Sequence, residues 1–292
     1  MSGQNIMISV ALLGACLAGG CADYTRQSGA ERGLIIVLPG VQGPDALTSN
    51  IRRGLIDGGA DRAIVVQSWG KPIPLAGVLI NQVDVLGARI DASAIAGRIV
   101  AYQQAFPGRP VHVVGHSAGG ALAVFVAESL ASKRQAQPID GLVLLSASIS
   151  SGYDLTKALG MCRRGILNCY NPEDVALLGV GTAILGNLDG GHGASAGLNG
   201  FRPPDQDDAS SASIDAYMRL TQQPVSGRGS AHFASTSPDF VAEVPAPWIL
   251  STQAAEVASP SHPPAARADP PSPAPAVVTP DQWVPVPHGG GR

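Results

Sequence analysis

Residues 111–120, with the sequence VHVVGHSAGG, contain a serine whose surroundings suit a nucleophile. An apolar β-branched run predicts a strand before Ser117, and apolar residues three and four apart predict a helix after it. Gly115 and Gly119 lie two residues before and two after the serine, where small residues let the backbone bend sharply and leave the hydroxyl accessible. We therefore identify Ser117 as the candidate nucleophile.

The same G-x-S-x-G pattern occurs again at residues 193–197, around Ser195. The surrounding stretch, NLDGGHGASAGLNGFRPP, predicts neither a strand before this serine nor a helix after it. Because the pattern alone arises easily in a glycine-rich chain, the surroundings decide between the two copies. We interpret Ser195 as an ordinary loop serine.

A serine hydroxyl is a poor nucleophile at neutral pH, so it needs a histidine to accept its proton and an acid to orient that histidine. The pattern around Ser117 resembles that of α/β-hydrolases, in which the acid follows a later strand and the histidine follows the last one. Asp174 meets the first condition because it comes just after the apolar run at residues 166–170, and His232 meets the second. The alternatives are Asp154 and Glu173 for the acid and His192 for the base.

The negatively charged oxygen of a tetrahedral intermediate needs two backbone donors. One is expected from Ala118, the residue after the serine. The other is expected from the PGVQG loop at residues 39–43, where we favour the amide of Val41. His116, inside the bend, is expected to shape the pocket wall, and His112 to lie on the buried strand.

Strands and helices must position these residues, and the chain alternates between apolar runs typical of buried strands and stretches with helical spacing. Strands are predicted at residues 33–40, 63–69, 111–115, 141–146 and 166–170, with a last one within residues 216–225. Helices are predicted at residues 50–58, capped at 48–50, at 91–106, capped by Asp91, at 118–133, 175–185 and 238–250. This alternation indicates right-handed βαβ units and a mostly parallel sheet with helices on both faces.

The segments LPGVQG, GHSAGG, YNPED and GSAHF together resemble the α/β-hydrolase superfamily over residues 33–250. The stretches IRRGL, LLGVGTAILG and AHFASTSPDF are similar to uncharacterised bacterial proteins of the serine-hydrolase type. The resemblance implies an α/β-hydrolase fold and a carboxylesterase-, lipase- or thioesterase-like activity on a small-molecule or lipid ester. One departure is LPG at residues 38–40, where many lipases have a His-Gly opening.

The two ends of the chain differ in composition from the body. Apolar residues 6–13, followed by small residues and two cysteines, predict an export signal too short to span a bilayer permanently. The sequence LGAC ending at Cys16 resembles a bacterial lipobox, in which the cysteine is lipidated, and Cys21 is a poorer match. We expect an exported, membrane-anchored lipoprotein of the cell envelope, with a signal at residues 1–21, a hydrolase domain at 22–250 and a flexible Pro/Ala-rich tail at 251–292.

Two further cysteines, Cys162 and Cys169, lie in the body of the chain. An exported protein meets an oxidising compartment, so these cysteines either form a disulfide that closes a short loop or are two small buried residues.

Composition and motifs exclude several other functions. Charged residues make up 14% of the chain and the formal net charge is -3, so there is no basic surface for nucleic acid. We find no P-loop, no G-x-G-x-x-G and no H-E-x-x-H, and therefore expect neither a nucleotide cofactor nor a zinc centre. Two hypotheses compete with ester hydrolysis: an amidase or transacylase with the same triad, and a non-catalytic surface lipoprotein that keeps the hydrolase fold for binding.

Overall fold

A parallel β-sheet organises the chain in the computed structural model, which describes residues 27–70, 84–174, 186–204, 210–225 and 232–257. Its six strands are β1 (Leu34–Leu38), β2 (Ala63–Val66), β3 (Val111–His116), β4 (Gly141–Leu145), β5 (Ile166–Tyr170) and β6 (Leu220–Pro224). They lie in the order β2-β1-β3-β4-β5-β6, and every neighbouring pair is parallel. The predicted parallel sheet is therefore confirmed.

Helices connect these strands and cover the sheet. They are α1 (Gln27–Ala30), α2 (Ala46–Asp57), α3 (Val85–Ala105), α4 (Ala118–Leu130), α5 (Thr156–Gly160), α6 (Ala196–Asn199), α7 (Ser211–Tyr217), α8 (Pro238–Glu243) and α9 (Pro245–Val257). Within the described segments, no helix combines the length and the apolar character needed to cross a membrane.

Successive strand residues alternate between two hydrophobic cores, one on each face of the sheet. Ile36 of β1 packs in a core with residues of α3 and α4, whereas Ile35 and Val37 pack in a core with residues of α2, α8 and α9. Because side chains point alternately to opposite faces and both faces are covered, every position of β1 has to be apolar. This is why the central strands appear in the sequence as continuous apolar runs rather than as alternating patterns.

The sheet also creates a crevice at one defined place. The chain runs from β1 outward to β2 and then returns to the other side of β1 to form β3. In open parallel sheets, ligands bind beyond the carboxyl ends of the strands at such a change of direction. The loops after β1 and β3, which carry Val41 and Ser117, meet at this point, so the topology itself places the candidate nucleophile in the crevice.

The starts of two helices differ from the prediction. Helix α2 begins at Ala46 and is capped by Asp45, whose carboxylate accepts a hydrogen bond from the amide of Thr48 at 3.0 Å. Helix α3 begins at Val85 with Asp84 as its cap, so the cap predicted at Asp91 is wrong. Asp91 is buried in the middle of the helix, where it accepts a hydrogen bond from the amide of Gly70 at 2.8 Å. The sequence could not show this, because the partner lies 21 residues away.

The carboxyl-terminal elements also have different limits. Residues 216 and 217 end α7, and the last strand begins only at Leu220. The helix predicted at residues 238–250 is two helices, since Pro245 lacks the amide hydrogen needed to continue α8. Helix α9 runs to Val257, past the predicted domain limit at residue 250. The helix predicted at residues 175–185, the lipidation candidates Cys16 and Cys21 and the tail beyond residue 257 lie outside the described residues.

Cys162 and Cys169 are both buried and both free. Cys162 belongs to the core that contains α3 and α4, whereas Cys169 on β5 belongs to the core on the opposite face. Because the sheet lies between them, the disulfide considered from the sequence does not form, and the cysteines are small buried residues. Burial raises the pKa of Cys162 to about 12, so its sulfur stays a thiol.

His112 on β3 is fully buried beside Arg62 and Trp248. The guanidinium of Arg62 donates to Nδ1 of His112 at 3.2 Å, so this nitrogen acts as the acceptor of a neutral imidazole. Burial lowers the pKa of His112 well below its ordinary value, and the positive charges of Arg62 and Arg164 lower it further. His112 is therefore neutral in the folded protein.

Acid should destabilise the fold through His112. Below its ordinary pKa of 6.5 the unfolded chain binds a proton that the folded chain does not bind. The free energy of unfolding therefore decreases as the pH is lowered, by up to about 1.4 kcal/mol per pH unit for one proton. We expect His112→Gln to have a smaller slope of unfolding free energy against pH than wild type over roughly pH 4.5–6.5, measured by urea denaturation. Equal slopes would contradict a neutral buried His112.

Candidate active site

Ser117 lies at the turn between β3 and α4 in a backbone conformation that residues other than glycine rarely adopt. Its φ is 54° and its ψ is -123°, which costs on the order of 1–3 kcal/mol. Three hydrogen bonds hold this turn: the amide of Ser117 donates to the carbonyl of Leu145 at 3.0 Å, and its carbonyl accepts from the amides of Gly120 and Ser148, both at 2.9 Å. Ser117 is half-buried, so it is not sealed inside the core.

Two glycines make the turn possible because backbone atoms occupy the space that a Cβ would need. A Cβ on Gly115 would overlap the carbonyl oxygen of Gly119. A Cβ on Gly119 would overlap the carbonyl oxygens of Leu38 and Pro39, at the end of β1. The small residues on each side of the serine are thus required by close backbone packing, as the sequence pattern predicts.

The structure brings Asp174 and His232 together at the carboxyl ends of β5 and β6. Asp174 follows β5 in a turn in which its amide donates to the carbonyl of Asn171 at 3.1 Å, and it is 2% exposed. Nδ1 of His232 lies 2.5 Å from a carboxylate oxygen of Asp174. Because a carboxylate only accepts hydrogen bonds, Nδ1 carries the proton and Nε2 is left able to accept one.

His116 connects this pair with the serine turn. It directly precedes Ser117, and the centre of its ring lies 5.1 Å from the centre of the His232 ring. Burial and, to a smaller extent, the neighbouring His232 together lower the pKa of His116 to about 3. A neutral imidazole at the end of β3 therefore lies next to the His232 ring, and its role in shaping a pocket wall stays a prediction.

The two predicted oxyanion donors lie on either side of the crevice. Ala118 is the first residue of α4, directly after Ser117. The loop that carries Val41 faces the serine, since a Cβ at Gly40 would lie 3.6 Å from the Cβ of Ser117. The indole nitrogen of Trp69 donates to the carbonyl of Pro39 at 2.8 Å and holds this loop at the end of β1. That Val41 and Ala118 stabilise an oxyanion stays a prediction.

Sequence reasoning missed two serines that support the site. Ser146 follows β4 directly, is fully buried and has a φ of 47°. Its hydroxyl lies 2.9 Å from the hydroxyl of Ser235, in the short 3₁₀ turn after His232. This hydrogen bond fixes the segment that carries His232 to the strand end next to Ser117. A serine after an apolar strand has no signature that would reveal such a partner 89 residues away.

The alternative candidates lie in other surroundings. Asp154 is exposed, and its carboxylate accepts hydrogen bonds from the amide and hydroxyl of Thr156 at 2.9 and 2.6 Å. Glu173 is exposed next to the buried Asp174. Ser195 is fully buried before α6, which removes it as an accessible nucleophile. His192 lines a separate cavity beyond β4.

The strand order, the sharp turn between β3 and α4 and the loops beyond β5 and β6 define the α/β-hydrolase fold, and this chain has that fold. The resemblance seen in the sequence motifs is thereby confirmed at the level of architecture. No protein-family model matches the sequence, and no curated protein matches it.

Several solved structures are similar to this chain at low identity. Esterase PE8 is 14% identical with a TM-score of 0.43, over 74% of this chain and 94% of its own. A poly(3-hydroxybutyrate) depolymerase, LpqC from Bordetella parapertussis, is 17% identical with a TM-score of 0.46, over 78% and 82%. The thioesterase RedJ from Streptomyces coelicolor is 17% identical with a TM-score of 0.39, over 80% and 95%. These values are too low to transfer an activity, so function has to come from the geometry of this chain.

The packing of Gly119 can be tested with a matched glycine. We expect Gly119→Ala to destabilise the protein by about 1–3 kcal/mol, because the new methyl group overlaps two carbonyl oxygens. Gly97→Ala, in α3, is the control: nothing lies within 4 Å of its Cβ position. There alanine should stabilise the helix by up to about 1 kcal/mol. Urea denaturation measures both changes, and equal stability of the two variants would contradict the close contact.

Proposed function

We propose that this protein is a serine hydrolase that cleaves ester or thioester bonds through an acyl-enzyme. Ser117 is the nucleophile, His232 the base and Asp174 the acid that orients it. The observation that carries the proposal is the buried hydrogen bond between His232 and Asp174, with the His232 ring 5.1 Å from the ring of His116, the residue before Ser117. The order serine, aspartate, histidine along the chain supports the same assignment.

The proposed reaction has two halves. His232 takes the hydroxyl proton of Ser117 at Nε2 while the serine oxygen attacks the carbonyl carbon of the substrate. The amides of Ala118 and Val41 hold the negative oxygen, and His232 then passes the proton to the leaving alcohol or thiol. Water, deprotonated by the same imidazole, releases the acid from Ser117. No further reactant is needed.

Burial of the acid supports the step in which His232 becomes positively charged. Asp174 is 2% exposed, so its negative charge acts on the imidazolium with little screening by water. A second positive charge close to His232 would oppose that step. His116 does not supply one, because burial keeps its pKa at about 3 and its ring neutral. No positive charge on His116 therefore opposes the transfer of the Ser117 proton to His232.

A fluorophosphonate probe tests the nucleophile, since it reacts covalently with activated serines. We expect wild type to be labelled and Ser117→Ala to take no label. Ser195→Ala, the second G-x-S-x-G serine, is the control and should be labelled like wild type, because Ser195 is buried. Labelling that survives Ser117→Ala would defeat the assignment.

Asp174→Asn should lower kcat for p-nitrophenyl esters by roughly 10⁴-fold, since an amide does not hold the required tautomer.

The competing hypotheses predict other results in the same assays. A folded wild-type protein without label and without esterase activity would favour a binding protein that keeps the hydrolase fold. Labelling without hydrolysis of p-nitrophenyl esters of graded acyl length, but with turnover of amides or acyl transfer, would favour an amidase or a transacylase.

We also propose that the protein is exported and anchored to a membrane by a lipid on Cys16. The support is the apolar segment at residues 6–13 and the LGAC sequence after it. In bacterial cells fed an alkyne fatty acid, we expect the wild-type protein to be labelled in the membrane fraction. Cys16→Ser should lose the label and Cys21→Ser should keep it. An unlabelled wild-type protein would contradict the anchor, and loss of label only in Cys21→Ser would move it to Cys21.

A further inference from the structure

A cavity of about 610 Å³, lined mostly by polar residue types, lies beyond β4, outside the triad. One wall is residues 150–154, in the loop that follows β4, and the other comes from residues 189–202. Backbone hydrogen bonds join the walls: the amide of Ser151 donates to the carbonyl of Ala194 at 3.2 Å, and the amide of Arg202 donates to the carbonyl of Ser151 at 2.8 Å. The cavity is therefore built by the fold.

Tyr153 gives this cavity a fixed aromatic wall. Its hydroxyl donates to the carboxylate of Glu128 at 2.7 Å and accepts from the guanidinium of Arg89 at 3.0 Å. The same guanidinium binds Glu128 at 3.0 Å and lies 4.1 Å from the centre of the Phe125 ring. Because α3 and α4 both hold the hydroxyl, the ring keeps its orientation in the cavity lining.

The other lining side chains keep hydrogen-bonding capacity for a ligand. Asp189 uses one carboxylate oxygen to accept from the amide of Ser150 at 3.1 Å, and the second oxygen remains. The side chains of His192, Asn199 and Arg202 have no protein partner among the residues that the structure describes. Donors and acceptors thus converge on one space. Hydroxyl groups suit such a mixture, because each one both donates and accepts.

The charges in the cavity decide between classes of ligand. The lining contains two carboxylates, of Asp154 and Asp189, but a single guanidinium, of Arg202, so an anionic ligand is disfavoured. A long acyl chain is disfavoured as well, since burying these polar groups against hydrocarbon would leave them without partners. A neutral molecule with several hydroxyl groups and one apolar face satisfies both conditions.

The cavity also lies close to the proposed nucleophile. The amide of Ser148 donates to the carbonyl of Ser117 at 2.9 Å, and Ser150 begins the cavity wall two residues further on. At 3.8 Å between successive Cα atoms, the wall starts within roughly 11 Å of the Ser117 backbone. An ester of a monosaccharide or disaccharide spans this distance.

We propose that the cavity binds a sugar-like polyol that forms the alcohol part of the ester cleaved at Ser117. This inference rests on the proposed serine-hydrolase function and adds the substrate class. The sugar ring stacks on Tyr153, its hydroxyl groups bind Asp189, Asn199 and Arg202, and its acyl group reaches Ser117. Hydrolysis then releases the polyol and, after water attacks the acyl-enzyme, the carboxylic acid.

A pair of matched esters tests the substrate class. One is methyl glucoside acetylated on its primary hydroxyl, and the other is tetrahydropyranylmethyl acetate, which has the same ring without hydroxyl groups. We expect kcat/KM to be at least about tenfold higher for the sugar ester, since several hydrogen bonds are made only with it. Equal kcat/KM for the two esters would overturn the proposal.

Variants of the lining residues test the location of the polyol site. Asn199→Ala and Arg202→Ala should each lower the ratio of kcat/KM between the two esters by roughly fivefold to tenfold. Arg53→Ala, an exposed arginine on α2, is the matched control and should leave the ratio as in wild type. A ratio that changes with neither cavity variant would also overturn the proposal.

Fluorophosphonate labelling separates the two possible failures. If wild type is labelled at Ser117 but does not prefer the sugar ester, the polyol site is wrong and the serine hydrolase stands. If wild type is not labelled and hydrolyses neither ester, the hydrolase proposal itself fails, and the polyol inference falls with it.

Discussion

The close approach of α4 to the end of β1 is the constraint on which the site depends. It is possible because Gly119 has no side chain where the carbonyl groups of Leu38 and Pro39 lie. The same contact sets the loop with Val41 against the turn with Ser117. The strained backbone of that turn is compensated by its three hydrogen bonds and by the burial of nearly all of α4 in the core.

The end of β4 connects the parts of the site. Leu145 accepts a hydrogen bond from the amide of Ser117, and Ser146 holds the turn after His232 through Ser235. The loop that continues from there bonds to the carbonyl of Ser117 through Ser148 and then forms a wall of the cavity. One strand end therefore positions Ser117 and the segment of His232, the proposed nucleophile and base, and it links both to the proposed polyol site.

Electrostatics divides the buried histidines into two kinds. His232 has a carboxylate partner, so a positive charge on its ring is compensated. Among the described residues no carboxylate hydrogen-bonds to His112 or His116, and burial keeps both neutral. The proposed chemistry needs this difference, because only one imidazole at the end of the sheet should gain a proton during the reaction.

The sequence by itself determined the parallel sheet and the bend at Ser117, because strands buried on both faces must be apolar and a sharp bend must have small residues around it. It also proposed Asp174 and His232, which the fold then placed 2.5 Å apart. Only the tertiary structure decided the pairing of Ser146 with Ser235, the burial of Asp91 and the cavity beside Tyr153. The physical reason is that these features are contacts between residues far apart in the chain. Local spacing carries no information about such partners.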